Sequence, residues 1–367
     1  MALIFCDGFD HYDYLVGHPD HSWALDKWDS VECPAFNTSQ ILQGGGRFGT
    51  AGWSQDGCWC SITKAVPSGP QNRVTMGVAF NPTNGCATGN HNGSGVGILS
   101  TWNSGGHDYI SLIASETGQL MLCHNVDNYY GSFTVLAWGP PVRTSTYQYL
   151  ELQIDVATTT AKVWMNEVEV ISYTGAEISA AVQAVRIGAH TSWIRTDFTG
   201  AMHFDDFYLT DGTGSYNTGN LGDVRVQELF PIVDWDKEWV PDPGPDHFEM
   251  VNDPYNQIDD TLTIISTKTL NAKDTFTFPS VSPTAGDVKA VAVNFYQEKL
   301  DSGARGVSAT GVVSPAGVGL GTYGVGTETY PGGGWAIYQS YMERDPDGNQ
   351  WTIATVNASK FGPKLTT

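Results

Sequence analysis

The sequence predicts an all-β protein, and three observations carry that expectation. Only 16% of the 367 residues are charged, 12% are aromatic and 42 are Gly; this mixture suits short strands and tight turns better than helices, which favour Ala, Glu, Lys and Leu. Turn signals recur at short intervals: "GGGRFGTAG", "SQDGCW", "NPTNGCATGNHNGSG", "SGGHD", "SETGQ", "TTTAK" and "DGTGS". The runs between them have strand length.

The third observation is the alternation in "YQYLELQIDVATTTAKVWMNEVEVISYTG" (147–175). Tyr149, Glu151, Gln153 and Asp155 fall on one side and Leu150, Leu152, Ile154 and Val156 on the other, the period-2 pattern of a sheet with one buried face. "TTT" and "NE" mark two tight turns, so this stretch predicts three strands of a meander. Upstream, "RVTMGVAF" (73–80), "YISLIAS" (109–115), "QLMLCHN" (119–125) and "FTVLAWG" (133–139) read as strands. Downstream, "AVQAVRIGA" and "GAMHFDDFYLTDG" supply two more. In the latter, Phe204 and Phe207 flank Asp205 and Asp206, so strict alternation fails there, as at a bulge or a sheet edge.

The Gly and Asn tract after Asp211 cannot pack a core and reads as the exit of a first domain, 1–213. Residues 214–260 are aromatic, acidic and proline-rich and read as an ordered connector with one strand. Short strands resume over 261–367: "TLTIIST", "DTFTFPSV", "VKAVAVNFYQEK", "ARGVSATGVV" and "GWAIYQSYMERD", with "WTIATVNASKFG" a last helix or strand. A chain of this length is expected to form two domains.

A formal net charge of -21, from 39 acidic and 18 basic residues, repels phosphate backbones and anionic lipid, so nucleic acid and membrane insertion are excluded as expected partners. The amino terminus "MALIFCDGFD" lacks a basic n-region, and its apolar run ends at Cys6 and Asp7, unlike a secretory signal. No apolar segment reaches the ~20 residues a membrane helix needs. The expectation is synthesis in a cytoplasm and a soluble product. Cys6, Cys33, Cys58, Cys60, Cys86 and Cys123 are then expected as buried thiols rather than a disulfide framework.

The elements "FCDGFD", "YLELQIDVATTTAKVWMNEVEVISYTG" and "IGA…FDDFYLTDGTG" together resemble concanavalin A-like or laminin-G-like lectin and glucanase sandwiches, over roughly residues 1–213. The continuation "GNLGDVRVQELFP", with a second β block ending "YMERDPDGNQWTIATVNASKFGPKLT", resembles structural proteins of tailed bacteriophages that join such a domain to a smaller carboxy-terminal β domain. The resemblance implies a concanavalin A-like jelly-roll sandwich followed by a β-rich docking domain. It further implies a virion component made in a host bacterial cytoplasm, with other virion proteins as partners and a homo-oligomer, by analogy a trimer. A tail fibre or tail-associated protein is the leading role; a capsid or collar decoration protein is the alternative.

Glycanases on this sandwich carry Glu-x-Asp-x-x-Glu, three carboxylates on one sheet face. Glu151 and Asp155 share a face without a third carboxylate, and "EVEV" has only two, so a glycan-degrading enzyme is the rival reading and a non-enzymatic protein the expected one. Asp205 and Asp206 are weak calcium candidates, since calcium needs about 6–8 oxygens from several loops; no other cofactor is implied. Asp345, Asp347 and Asn349 in "DPDGNQW" have calcium-loop spacing, but Val356 stands where the twelfth-position Glu belongs, which favours a β-turn. His11, His18, Asp20 and His21 are chemically acceptable zinc ligands without a recognised spacing. "GNHNGSGVG" around Ser94 lacks the strand and helix of a nucleophile elbow, and "GVGLGTYGVGTETYPGGGW" lacks the Lys and helix of a phosphate cradle. Aromatics remain: Trp53, Trp59, Trp102, Tyr129, Tyr130 and Trp138 lie in or beside first-domain loops, where sugar-binding proteins stack pyranose rings. A subunit interface or the core is the leading expectation for these rings, and glycan contact the alternative. Host surface polysaccharide is the ligand this surface would take.

Overall fold

The structure is a computed structural model, and it describes residues 2–9, 27–32, 48–51, 60–82, 95–103, 108–115, 117–126, 133–189, 201–253, 262–282, 286–298, 307–313, 320–323 and 336–366. The chain divides into two compact units, Met1–Val226 and Gln227–Thr367.

Unit one contains two seven-stranded sheets. The first runs β1 (Leu3–Asp7), β14 (Ala201–Thr210), β5 (Arg73–Pro82), β10 (Gln148–Asp155), β11 (Thr160–Met165) and β12 (Val168–Thr174), with β3 (Phe48–Ala51) also paired to β14. The second runs β2 (Ser30–Glu32), β4 (Cys60–Ala65), β13 (Ala184–Ala189), β6 (Gly95–Trp102), β7 (Asp108–Ser115), β8 (Gln119–Val126) and β9 (Thr134–Pro141). Neighbours are antiparallel throughout both sheets, and the chain changes sheet at every step from β1 to β6 and again from β9 to β10, β12 to β13 and β13 to β14. This strand order is the concanavalin A-like jelly-roll sandwich.

The inward positions are those the alternation picks out. Val74, Met76 and Val78 of β5, Leu150, Leu152 and Ile154 of β10, and Ile110, Leu112, Leu120 and Leu122 of β7 and β8 have no exposed surface. Each such side chain contributes about 1.5–3 kcal/mol by leaving water. Phe5 of the first sheet meets Trp28, just before β2 of the second, edge-on at 4.9 Å. Trp28 is held by its indole N–H, which donates to Asp7 Oδ2 at 2.8 Å, and Lys27 Nζ lies 3.5 Å from Asp7 Oδ1 with both groups buried. Cys6 and Cys123 are thiols, half-buried and buried; burial pushes them up to about 11 and about 12. The "NE" turn joins β11 to β12 through Asn166 (φ 49) and Glu167 (φ 68), the left-handed pair of a hairpin turn whose twist matches the strands.

The failed alternation at Asp205 and Asp206 is a bulge, and it is not at a sheet edge, because β14 lies between β1 and β5. Asp205 pairs with Ala79 and Tyr208 with Gly77, so β14 spends one residue more than β5, and Asp206 absorbs it at φ 52. The inserted residue restores the phase: Phe204 and Phe207 both point to the core with no exposed surface.

Unit two contains a five-stranded sheet, β15 (Val233–Lys237), β18 (Asp274–Thr277), β23 (Ser359–Leu365), β20 (Val307–Val313) and β21 (Leu320–Tyr323). Two ribbons accompany it: β16 (Val240–Asp242) with β17 (Ile264–Ser266), and β19 (Val291–Gln297) with β22 (Ala336–Met342). Its core gathers Met342, Trp351 and Phe361. The tail "WTIATVNASKFG" is both helix and strand: α1 (Ile353–Ala358), started by a Thr352/Thr355 capping box, then β23. "DPDGNQW" forms a turn; Asp345 Oδ1 accepts the N–H groups of Asp347 (3.0 Å) and Asn349 (2.7 Å), with Gly348 at φ 81.

The division between the units differs from the sequence expectation of a boundary at 213 and a connector over 214–260. Residues up to Val226 belong to unit one, and β15 and β16, both within the expected connector, belong to unit two. The reason is polar: Leu221, Gly222 and Val226 are tied to the first sheet by hydrogen bonds that hydropathy does not reveal.

Candidate functional site

The described chemistry of unit one concentrates on the outer face of its first sheet. Alternation on β10 turns Tyr149 and Glu151 away from the core, and the register places Tyr149 opposite Ala79 and Glu151 opposite Gly77. The bulge sets Tyr208 of β14 opposite Gly77 from the other side. The Tyr149 and Tyr208 rings therefore stack nearly parallel, 6.4 Å apart at 8°, over a glycine. A Cβ at position 77 would stand 2.3 Å from Tyr208 Cε1 and 2.9 Å from Tyr149 Cε1.

The expectation that Tyr149 and Glu151 face solvent is corrected here: they are 2% and 1% exposed. Residues 221–226, the strap, cover Glu151, while Tyr149 lies against Tyr208 and Asp206. Glu151 Oε1 accepts the Leu221 N–H at 2.8 Å, the Gly222 N–H at 3.0 Å and the Tyr208 hydroxyl. Glu151 Oε2 is buried and takes no hydrogen bond of standard geometry. Burial pushes the Glu151 carboxyl above its ordinary 4.5, outweighing the stabilisation of the anion by Tyr208, Gly222, Leu221 and the Asn220 side chain. Burial, with the neighbouring carboxylate, pushes the Tyr208 hydroxyl well above 10.

Asp206 provides the second anchor. Its Oδ1 accepts the Val226 N–H at 2.7 Å, and its Oδ2 lies 3.4 Å from Arg225 Nη1. Burial raises the Asp206 carboxyl above 3.8, against the opposing pull of Val226 and Arg225. Asp206 also accepts the Tyr149 hydroxyl on its carbonyl oxygen at 2.8 Å, and the Tyr149 ring stacks on Tyr208, the donor to Glu151, so the two anchors are joined through a pair of tyrosines. Asp205 Oδ1 accepts the Asp206 N–H at 2.9 Å and thereby steadies the left-handed residue. Both calcium candidates are thus engaged with the chain's own backbone, and among the described residues no group of three or more His, Cys, Asp or Glu side chains could hold a metal.

The aromatic candidates do not form one constellation among the described residues. Trp138 stands on the edge strand β9 with 55% of its surface exposed. Trp102 is half-buried at the end of β6, opposite Ala184. Trp53, Trp59, Tyr129 and Tyr130 lie outside the described residues, as do His11, His18, Asp20, His21 and Ser94. Sequence reasoning did not single out Tyr208, Leu221, Gly222 or Arg225. The available signal was the restored phase after the two aspartates, which turns Tyr208 to the Glu151 side.

Unit two holds one comparable polar knot. Asp274, with no exposed surface, accepts the Glu238 and Trp239 N–H groups on Oδ1 at 2.7 and 2.8 Å, and its Oδ2 lies 2.5 Å from His247 Nδ1. Asp234 accepts the His247 and Phe248 N–H groups and pairs with Lys237 at 2.9 Å. These carboxylates organise the 234–248 backbone.

Fold and site together define a two-sheet antiparallel β-sandwich in which the carboxylates on the outer face of the first sheet are engaged by its own chain. No protein-family model and no curated protein matches this sequence. Among solved structures it is similar to cellulose induced protein Cip1 (TM-score 0.35, 13% identity, covering 56% of this chain and 96% of that one). It is also similar to the VIP36 exoplasmic/lumenal domain in its Ca2+/Man-bound form (0.35, 12%, 51% and 84%) and to the carbohydrate binding module CBM66 from Bacillus subtilis (0.29, 12%, 44% and 91%). A sialidase is matched over 46% of this chain but only 15% of its own length, at a TM-score of 0.33 and 8% identity.

Proposed function

We propose that this chain is a non-enzymatic structural protein of a tailed-bacteriophage particle, a tail fibre or other surface-projecting component whose sandwich contacts host glycan. What supports the non-enzymatic part is one observation: Glu151, the carboxylate on the sheet face where glycan chemistry would occur, is spent on the Leu221 and Gly222 N–H groups and is 1% exposed. What supports glycan contact is the exposed Trp138, an apolar face of the kind pyranose rings stack upon. The phage assignment rests on the resemblance of "FDDFYLTDGTGS" followed by "LGDVRV".

The rival reading is a glycan-degrading enzyme, favoured by the Glu151–Tyr208 contact and the raised Glu151 carboxyl, a pairing that would suit proton transfer if the strap lifted. Incubating the purified protein with host surface polysaccharide separates the two. Sedimentation with the polysaccharide and no new reducing or unsaturated ends is the expected result; release of oligosaccharides would overturn the non-enzymatic reading. Gold-labelled antibody on intact particles tests the virion assignment: label on tail or fibres fits the leading role, label on head or collar the decoration role, and particles without label reject both.

A further inference from the structure

The strap is held by contacts that do not depend on which chain supplies it. Glu151 Oε1 and Asp206 Oδ1 read main-chain N–H groups of Leu221, Gly222 and Val226, and Asp206 Oδ2 meets Arg225. Gly222 adopts φ 82, and a Cβ there would stand 3.0 Å from Glu167 Oε1, so a glycine fits both the turn and the crowding.

The run 212–220 links this strap to β14. It is Gly, Ser, Thr and Asn with one Tyr, residues 213–216 are exposed, and Gly212, Gly214 and Asn217 take left-handed conformations. Fully extended, such a run reaches about 30 Å. Thr213 closes onto Asp211 through its N–H (2.9 Å) and its hydroxyl (2.7 Å), which ends β14 in a turn of its own. Unit one ends at Val226, so a strap that leaves its seat takes residues 227–367 with it.

We propose that the strap is exchangeable between copies: the Glu151, Tyr208 and Asp206 seat of one chain takes residues 221–226 of a second copy, linking chains into an oligomer. Every hydrogen bond is conserved in the exchange, so the balance between closed monomer and exchanged oligomer is set by chain entropy. Closure by a short flexible linker corresponds to a roughly millimolar effective concentration, so exchange sets in where copies are packed at that density. On the virion reading proposed above, an assembled particle meets that condition; a dilute solution does not.

The test uses the full-length chain. Separate batches labelled with donor and acceptor dyes on unit two are mixed, concentrated to the millimolar range, then diluted and analysed by light scattering and energy transfer. Exchange predicts oligomers that carry both dyes immediately after dilution and return to monomer on standing, as each strap closes again on its own chain. It predicts that a synthetic peptide of residues 219–227, present in excess during concentration, suppresses them. Deleting 215–218, which shortens the linker against closure within one chain, is expected to raise the oligomer fraction at least tenfold. Monomer alone under all conditions overturns the proposal, and so does an oligomer indifferent to the peptide, which would point to another interface. If the deletion variant does not fold, the peptide competition on the unmodified chain still decides.

Discussion

Asp206 Oδ1 accepts the Val226 N–H at 2.7 Å, so the residue that takes up the bulge in β14 also fixes the last residue of unit one. A local irregularity in the sheet and the end of the unit are one feature. Replacing Asp206 tests both halves. Asp206→Ala loses the acceptor and keeps a side chain at φ 52; Asp206→Gly loses the acceptor but suits the left-handed backbone. The glycine variant is expected to be the more stable of the two by about 1 kcal/mol, with both below the parent, in urea unfolding. Equal losses would show that the left-handed backbone is not a cost.

Glu151 carries more. Glu151→Ala orphans the Gly222 N–H group and the Tyr208 hydroxyl proton, while the Leu221 N–H keeps the Tyr208 hydroxyl oxygen as acceptor at 3.0 Å; each buried orphan costs roughly 1–3 kcal/mol. A loss of about 3 kcal/mol is expected from denaturant unfolding, allowing for partial hydration when the strap lifts. Glu151→Gln keeps an acceptor oxygen and is expected to lose about 1 kcal/mol.

Gly77→Ala is expected to be the most damaging single methyl addition on this face. Its Cβ meets two buried tyrosine rings from opposite sides, so neither can yield without moving β10 or β14. Overpacking of this kind costs about 1–3 kcal/mol. The readout is the melting temperature, with loss of the near-ultraviolet tyrosine signal at the same substitution.

The two units are expected to respond oppositely to acid. Glu151 and Asp206 have carboxyls raised above 4.5 and 3.8, so folded unit one holds their protons more tightly than the unfolded chain does. Their contribution is full below those ordinary values and is lost as pH rises through the folded ones. Asp234 in unit two goes the other way: burial raises it, but the Lys237, Phe248 and His247 contacts together hold it below 3.8. Its contribution is present above 3.8 and lost as pH falls through the lower folded value. Differential scanning calorimetry between about pH 3 and 7 should show the Glu151→Gln/Asp206→Asn variant with a flatter pH dependence in unit one, and Asp234→Asn with a flatter one in unit two. The reverse slopes would contradict the assigned environments.

Much of the fold was legible because hydropathy reports which face of a strand is buried. The 147–175 meander, its "NE" hairpin turn and the break at Asp205–Asp206 all follow from period 2 and turn chemistry. The strap was not legible. Its anchors are main-chain N–H groups, identical in every residue but proline, and they meet Glu151 across 70 and 71 sequence positions. Hydrophobic alternation therefore assigned Tyr149 and Glu151 to solvent, although strap backbone covers Glu151 and the Tyr208 ring lies against Tyr149. The domain boundary missed for the same reason: the Gly and Asn tract reads as an exit, but Leu221, Gly222 and Val226 beyond it return to the sheet.

The measurement that tests this account most directly is native-state hydrogen exchange of the full-length chain, resolved at Leu221, Gly222 and Val226. The account predicts that these three amides are protected together, orders of magnitude beyond the exposed 213–216 run, and that Glu151→Ala and Asp206→Ala each release their own partners. Exchange of all three at the rate of 213–216 would show that the strap does not close the sheet face, and would contradict the burial of Glu151 beneath it.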